Sequence, residues 1–387
     1  MKLSLKQEVE AEGKNMEEKK QFEIGPIRPP SEAESLLLRI TRNCPWNKCK
    51  FCTLYRKHKF QTRTVEDIKA DIDQVAEYRQ NILEGLPENL YELGEEEQGR
   101  YLHIMRWMAN GEESVFLQDA NTVVLTYDKL HEILTHLHNR LPNIKRVTTY
   151  GRADSLNKFT LEQLKGLKEA GLNRIHSGYE SGSDAVLNLI NKGYTKATEI
   201  EAGQKVKESG IELSIYYMPG TGGIALSDEN ALETADVINK VNPDFVRIRT
   251  FVAQRRTELF DEIEAGLIPQ CTDKEKAMEL KKMIENLHSC DGTLISDHTI
   301  NLFEDVAGNM KTDKEKMLSI FTAFENMPII EQQKYQIARR MGMVRSIYNM
   351  PRLNREQERT INEYLSKVSD DPELFEAFLA KLLRRFI

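Results

Sequence analysis

Along the middle of the chain, short apolar runs alternate with longer stretches of helical spacing. "TVEDIKADIDQVAEYRQNI" (64–82) repeats its apolar positions, Val65, Ile68, Ile72, Val75 and Tyr78, at helical intervals. "YDKLHEILTHLHNRL" (127–141), "TLEQLKGLKEAG" (160–171), "KATEIEAGQKVKESG" (196–210) and "SDENALETADVINKV" (227–241) follow the same rule. Gly171 and Gly210 close two of these helices, and Ser227 is placed to cap the last. Between the helices lie runs that predict six strands, at 36–42, 114–118, 145–150, 173–179, 212–218 and 244–250. Strands alternating with helices in this way argue for parallel βα units. Six units are too few for an eight-unit barrel and suit an open one. The expected fold is α/β, a partial (β/α)6 TIM-type barrel followed by a helical C-terminal region.

Departures from that rhythm suggest boundaries. Residues 1–35 form a polar arm ending in the turn composition "GPIRPP", and 36–255 carry the barrel. Residues 83–113 are acidic and irregular and look like an insertion, with a packing helix around "RYLHIMRWMAN". Beyond 255 the alternation stops. "TDKEKAMELKKMIENLH" (272–288), "KTDKEKMLSIFTAFENM" (311–327) and "NREQERTINEYLSKV" (354–368) make 256–387 a helical region.

Composition narrows the function classes. The 387 residues are 40% hydrophobic, enough for a full core, and the net charge of −7 does not favour bulk nucleic-acid binding. The basic clusters "ARRMGMVR" (338–345) and "KLLRRF" (381–386) are expected to be solvated helix faces. No apolar run approaches the roughly 18–20 residues needed to span a bilayer, and the charged first twenty residues lack a signal-peptide centre. The expected setting is the cytoplasm, with no membrane partner. Disulfides are rare there, and a tight group of cysteines more often binds metal or does redox chemistry.

Such a group exists. Of five cysteines, three lie in "NCPWNKCKFC", with the spacing Cys44-x4-Cys49-x2-Cys52. The loop follows the first strand and so belongs to the carboxyl rim of the sheet, where barrels of this kind build their chemistry. Thiolates favour iron–sulfur clusters or zinc. A four-iron cluster normally takes four cysteines, so three leave one iron open to another ligand. With His58 added, the same loop offers a Cys3His set for structural zinc, and spacing alone serves both alternatives equally. Cys271 and Cys290 lie far from the loop and are expected to be ordinary thiols.

The stretch "LLLRITRNCPWNKCKFC" resembles the radical S-adenosylmethionine superfamily, in particular the Elp3-like and coproporphyrinogen-dehydrogenase-like cores. The first cysteine gap is one residue longer than the usual C-x3-C-x2-C. The resemblance extends over about 36–255. "VFLQDANTVVL" (115–125) lies at the family's second strand, with Gln118-Asp119-Ala120-Asn121 in place of the usual Gly-Gly-Glu. "IHSGYESGSDAVLNLINKGYT" (175–195) resembles the fourth-strand segment, "YYMPGTGG" (216–223) the fifth, and "TELFDEIEAGLI" (257–268) the stretch after the barrel.

The resemblance implies a [4Fe–4S] cluster on Cys44, Cys49 and Cys52, whose free iron chelates S-adenosyl-L-methionine. Reductive cleavage then gives a 5′-deoxyadenosyl radical that abstracts hydrogen from a substrate. It also implies cosubstrate contacts from Phe51 near the adenine, from Asp119 and Asn121, from Glu180 and from Met218, with Arg152 and Arg249 as further candidates. An external electron donor of flavodoxin or ferredoxin type would be the partner. The competing expectation is a zinc-stabilised α/β binding module without radical chemistry.

Strand alternation adds an independent reading. His176, Gly178 and Glu180 share one face of the fourth strand, as do Phe245, Arg247 and Arg249 on the sixth. With the aliphatic face against helices, both arginines point into the barrel, as do Arg39 and Thr41 on the first strand. The pair allows a small anionic substrate. "SDHTINLF" (296–303) places Asp297, His298 and Asn301 where they would close over the site or make a surface turn. No segment for cobalamin, second cysteine set or terminal β-barrel module is evident, which argues against cobalamin-dependent methylases and methylthio-transferases.

Overall fold

The computed structural model describes residues 22–87 and 90–386; the expectations for residues 1–21 lie outside them. Ten strands follow in chain order: β1 (Leu36–Arg39), β2 (Thr41–Arg42), β3 (Gln61–Thr62), β4 (Ser114–Gln118), β5 (Arg146–Tyr150), β6 (Leu172–Glu180), β7 (Glu212–Tyr217), β8 (Phe245–Ile248), β9 (Thr293–Ile295) and β10 (Gly308–Asn309). Eight of them form one sheet in the order β1-β4-β5-β6-β7-β8-β9-β10, with β2 and β3 as a separate pair. In that sheet β1, β4, β5, β6, β7, β8 and β9 pair in parallel, and β10 closes the far edge antiparallel to β9.

The helices between strands cover one face. Leu36, Leu38, Val115, Leu117, Val147, Ile175, Leu213, Ile215, Val246 and Leu294 point toward them and are buried. The register aligns the other face into a lumen wall. Phe116 lies beside Thr148, Tyr150 beside His176, Gly178 beside Tyr216, and Tyr216 beside Arg247. The result is an open α/β barrel with a helical C-terminal region, as the strand count predicts, but with two differences.

The first is that the sheet continues past 255. β9 adds a seventh parallel strand, and β10 follows it. Runs of three and two residues are too short to show a period of two in the sequence. The second is that the predicted first strand breaks after Arg39. Thr41 and Arg42 leave the sheet to pair with Thr62 and Gln61, which turns the chain into the cysteine loop. The exposed edge of β1 is covered. His103, on the helix Glu95–Ala109 within the expected insertion, accepts from the Leu37 N–H at 3.0 Å, and Arg39 N–H donates to Glu23 at 3.1 Å. Tyr101, Ile104 and Trp107 of that helix are buried against the core, so it packs as expected.

Two local expectations are corrected. Ser227 is not a cap: the helix begins earlier, at Gly223–Val241, and Ser227 donates to the buried carboxylate of Glu279 at 2.6 Å. That carboxylate also accepts from Tyr217 Oη at 2.9 Å and Gly220 N–H at 3.0 Å, so a C-terminal helix (Asp273–Glu285) fixes the glycine turn ending β7. Gly220 has φ +85°, and a Cβ there would strike the Lys276 side chain at 2.6 Å. The basic cluster at 338–345 is not a solvated face throughout. Arg339 and Arg340 are buried, pairing with Glu304 at 2.7 Å and with Asp273. Arg384 and Arg385, by contrast, are exposed as expected. No helix among the described residues is long and apolar enough to cross a membrane.

Candidate radical-chemistry site at the carboxyl rim

The cysteine loop leaves the sheet at the carboxyl end of β1 and is tied down on both sides. Toward β6, Lys50 N–H donates to Ile190 O at 2.9 Å and Asn191 Nδ2 to Lys48 O at 3.1 Å. Toward the segment after β8, Leu259 N–H donates to Lys50 O at 3.1 Å, and Lys50 pairs with Glu262 at 2.5 Å. Asn43 and Asn47 bracket Cys44 with φ +67° and +47°, a left-handed conformation that asparagine tolerates. The extra residue of the first gap has a structural use. Trp46 lies over Gly193, where a side chain would collide with its ring, and its Nε1 donates to Asn191 O at 2.8 Å.

Asp119, fully buried and preceded by a cis peptide bond, holds this loop together. One carboxylate oxygen accepts from Arg39 Nη2 at 2.9 Å and from Asn43 N–H at 3.2 Å; the other accepts from Tyr55 Oη. Residues just before Cys44 and just after Cys52 are thus clamped by one side chain. Burial, followed by the hydrogen bond to Asp119, pushes the Tyr55 phenol far up, so it stays a donor. Asn121 is also buried and spends both ends of its amide, on Ser155 Oγ at 2.8 Å and Arg152 N–H at 3.0 Å. Arg152 donates to Lys192 O at 2.8 Å and stacks over Trp46 and Tyr194 at 5.5 and 5.0 Å. Of the sequence-predicted residues, these three support the loop and its neighbouring turn.

Phe51, Glu180 and Met218 meet around the loop itself. Phe51 packs on an apolar group of Ile190, Met218, Phe251 and Leu259. Met218 N–H donates to Glu180 O at 2.8 Å. The Glu180 carboxylate pairs with Lys192 at 3.0 Å, and both side chains are largely buried. Strand alternation does not hold to Glu180: the register shifts between Gly178 and Glu180, and Glu180 has φ +69°. The carboxylate folds back over Gly178, where a Cβ would meet it and would lie 3.4 Å from Lys192 Nζ. His176 does face the lumen, but lower, at 3.3 Å from Glu32. Arg247 is buried beside Tyr216, 3.5 Å from Asp297, while Arg249 lies just past β8 and is exposed. Asn301 is buried and holds Thr250 N–H at 2.9 Å, so "SDHTINLF" forms part of the rim.

The three loop thiols are free and half-buried; Cys271 and Cys290 are free and buried elsewhere. Burial pushes the Cys49 and Cys52 thiols up. Cys52 acts on Cys49 and Cys44 on Cys52 in the same direction, Lys192 opposes the rise at both, and a turn from Cys52 N–H to Cys49 O at 3.2 Å sets those two residues side by side. Among the described residues no three His, Cys, Asp or Glu side chains converge on a point that could hold a single metal ion. His58, which the zinc alternative requires, is exposed. Thiols near one another on one loop, beside a buried lysine and an apolar wall, fit a polynuclear cluster and its cosubstrate.

A parallel-sheet enzyme with three free thiols at the carboxyl rim is the class this geometry defines. The family model of the Radical SAM superfamily matches residues 38–236, and the chain belongs to that superfamily. Its enzymes bind a [4Fe–4S] cluster and S-adenosylmethionine, and both are this protein's cofactors. The chain is 22% identical over 303 residues to the tRNA-2-methylthio-N(6)-dimethylallyladenosine synthase of Syntrophus aciditrophicus, covering 75% of this chain and 59% of that one. It therefore spans less than two thirds of that relative's length. Solved structures similar to it include Methanocaldococcus infernus Elp3 (18% identity, TM-score 0.38, covering 48% of this chain and 47% of that one). Coproporphyrinogen III oxidase (HemN) of Escherichia coli is another (15% identity, TM-score 0.43, 65% and 51%).

The sequence reading missed Lys192, Tyr55 and the docking of Trp46. Lys192 had one available signal, a lone cation in the "LINKGYT" stretch after an otherwise apolar turn.

Proposed function

We propose that Cys44, Cys49 and Cys52 hold the cluster, and that the protein reductively cleaves S-adenosylmethionine there to abstract hydrogen from a small molecule in the lumen. The observation that carries this is the set of three free, half-buried thiols on the loop after β1, with Lys192 and Glu180 beside them. When bound, the cluster and cosubstrate supply one electron and a carbon radical; the chain supplies geometry and a dry site. Lys192, a buried cation whose charge acts on both Cys49 and Cys52, suits the cosubstrate carboxylate, and Glu180 suits its amino or ribose groups. Phe51 and Met218 offer an apolar face to the adenine. Asp119, Asn121 and Arg152 act through the loop they hold rather than by touching the cosubstrate. The catalytic unit in this proposal runs from 36 past 255 to β10, because β9 and β10 complete the sheet. The electron comes from an external flavodoxin- or ferredoxin-type donor.

The test is anaerobic reconstitution. The wild-type protein should hold about four irons per chain and give 5′-deoxyadenosine on reduction, and the C44A/C49A/C52A variant should do neither. About one zinc per chain with no visible absorbance would replace this proposal with the binding-module alternative.

A further inference from the structure

On the lumen wall one step from the Glu180–Lys192 pair, the register sets Gly178, Tyr216 and Arg247 side by side across β6, β7 and β8. Arg247 is 5% exposed. A buried guanidinium ordinarily has all its N–H groups engaged. Here the one ion pair is a 3.5 Å contact with Asp297, whose side chain is half exposed, and the buried Nε has no partner. Arg249, two residues on, has no ion-pair or hydrogen-bond partner for its guanidinium among the described residues. Both charges bear on the same two phenols: Arg249 and Arg247 act on Tyr150 and on Tyr216. Arg249 also acts on His298, which burial, with Arg249 next, holds neutral at about 4. Arg249 N–H still donates to Tyr217 O at 2.9 Å, so the ladder runs on past β8 and sets Arg249 two residues beyond Arg247, whose contact with Asp297 is the one ion pair of the two among the described residues.

The walls of that spot are flat and apolar with polar tips. Tyr150 packs edge-on against Phe116 at 5.0 Å and lies 6.1 Å from His176. The Tyr150 and Tyr216 hydroxyls have no hydrogen-bond partner among the described residues. Burial pushes both phenols up, Tyr216 to about 12, so each presents an O–H donor at neutral pH. Deeper in the lumen, His176 Nδ1, Thr148 Oγ1 and Ser214 Oγ are buried without partners. Tyr216 pairs in register with Gly178, over which the Glu180 carboxylate folds, so this spot adjoins the position proposed for the cosubstrate.

We propose that the substrate of this enzyme is a small, flat oxyanion, a carboxylate or phosphate, whose charged end is clamped by Arg247 and Arg249 with the Tyr150 and Tyr216 hydroxyls. Its body lies along the Tyr150 ring, which Phe116 backs. Guanidinium groups match oxyanions in two-point geometry, and neutral phenols add donors without adding repulsion. This rests on the radical-enzyme proposal only for which end of the substrate is reached, since the anion site is built from Arg247, Arg249, Tyr150 and Tyr216 and uses neither cluster nor cosubstrate.

Calorimetric titration of the reconstituted protein with benzoate, phenyl phosphate and benzyl alcohol tests it. Benzoate or phenyl phosphate should bind, the better of the two naming the oxyanion, and benzyl alcohol should bind at least tenfold more weakly. R249Q should lose at least tenfold in affinity for the better anion, and R249K should recover part of that loss. Arg249 is exposed, so the substitution leaves the core untouched. No binding by either anion, equal binding of benzyl alcohol, or a loss in R249Q confined to S-adenosylmethionine overturns the proposal. Formation of 5′-deoxyadenosine by the same preparation is scored separately. Its absence with anion binding intact sinks the radical proposal alone, and its presence without anion binding sinks this one alone.

Discussion

At the amino end of the barrel, Glu32 is fully buried and its carboxylate is engaged by Arg146, by His176 at 3.3 Å and by Ser35 Oγ at 2.8 Å. At the carboxyl end of the same sheet, the Arg249 guanidinium has no partner among the described residues and Arg247 only a long one. Three free thiols and the Glu180–Lys192 pair stand beside them. The first end spends its charges on closure. The second keeps them available, and its order comes from a tier behind it: Asp119 clamping the loop, Arg152 and Trp46 fixing the turn at 191–193, Glu279 fixing the turn after β7. Charges that complete each other stabilise a fold, and charges left incomplete along a sheet's carboxyl rim are candidates for where something else binds.

The comparison can be broken from several sides. Acid should have the largest effect. Burial pushes His176 down and, with nearby arginines, His103 and His298 to about 4, while in the unfolded chain each titrates near 6.5. Their stabilising contribution is present above that value and is lost as the pH falls toward 4. Burial alone would raise Glu32, but hydrogen bonds from His176 and Arg146 outweigh it and hold the carboxyl at about 2. Its contribution is therefore present above 4.5 and is lost between there and 2. Thermal unfolding followed by circular dichroism should show the midpoint falling from about pH 6.5 downward in two overlapping steps. A flat midpoint to pH 4 would contradict the buried-histidine account.

Next is Glu32→Gln. Removing one partner of a buried pair costs about 3–5 kcal/mol. Because the Arg146 side chain is 30% exposed and can be hydrated, roughly 2–3 kcal/mol is expected by the same principle. The loss should appear in denaturant unfolding, with cosubstrate cleavage per folded molecule retained. Lys192→Met should also lower the unfolding midpoint, because it leaves the buried Glu180 carboxylate unpaired, but unlike Glu32→Gln it should raise the KM for S-adenosylmethionine about tenfold, or ~1.4 kcal/mol. A KM unaltered in Lys192→Met would remove this lysine from the cosubstrate site. The smallest effect is expected from Trp46→Phe. It keeps the ring over Gly193 and loses the hydrogen bond to Asn191, about 1 kcal/mol, measurable as faster iron loss to a chelator.

The sequence shows much of the scaffold and less of the site. Six strands were legible because each carries four or more residues with a consistent apolar face. β9 and β10 were not, since "TLI" and "GN" carry no period. The cysteine loop was legible from spacing and from its place after β1. What holds it was not: Asp119 meets Arg39, Asn43 and Tyr55 only because β1 and β4 are neighbours, a fact of topology that periodicity does not encode. Glu180 was found as a residue and misplaced as a direction, because alternation fails at the register shift beside Gly178. Arg247 was rightly placed on the lumen face, but its phenolic neighbours Tyr150 and Tyr216 come from strands whose relative register only the folded sheet fixes.

The central claim is that the carboxyl rim, and not the sealed end, is where a carbon radical is made. Its most direct test is to reduce the anaerobically reconstituted protein with dithionite in the presence of S-adenosylmethionine and quantify 5′-deoxyadenosine and methionine. Equal amounts of both, formed by the wild-type protein and absent from Cys49→Ala, are the predicted result. A preparation loaded with about four irons per chain that forms neither product would contradict it.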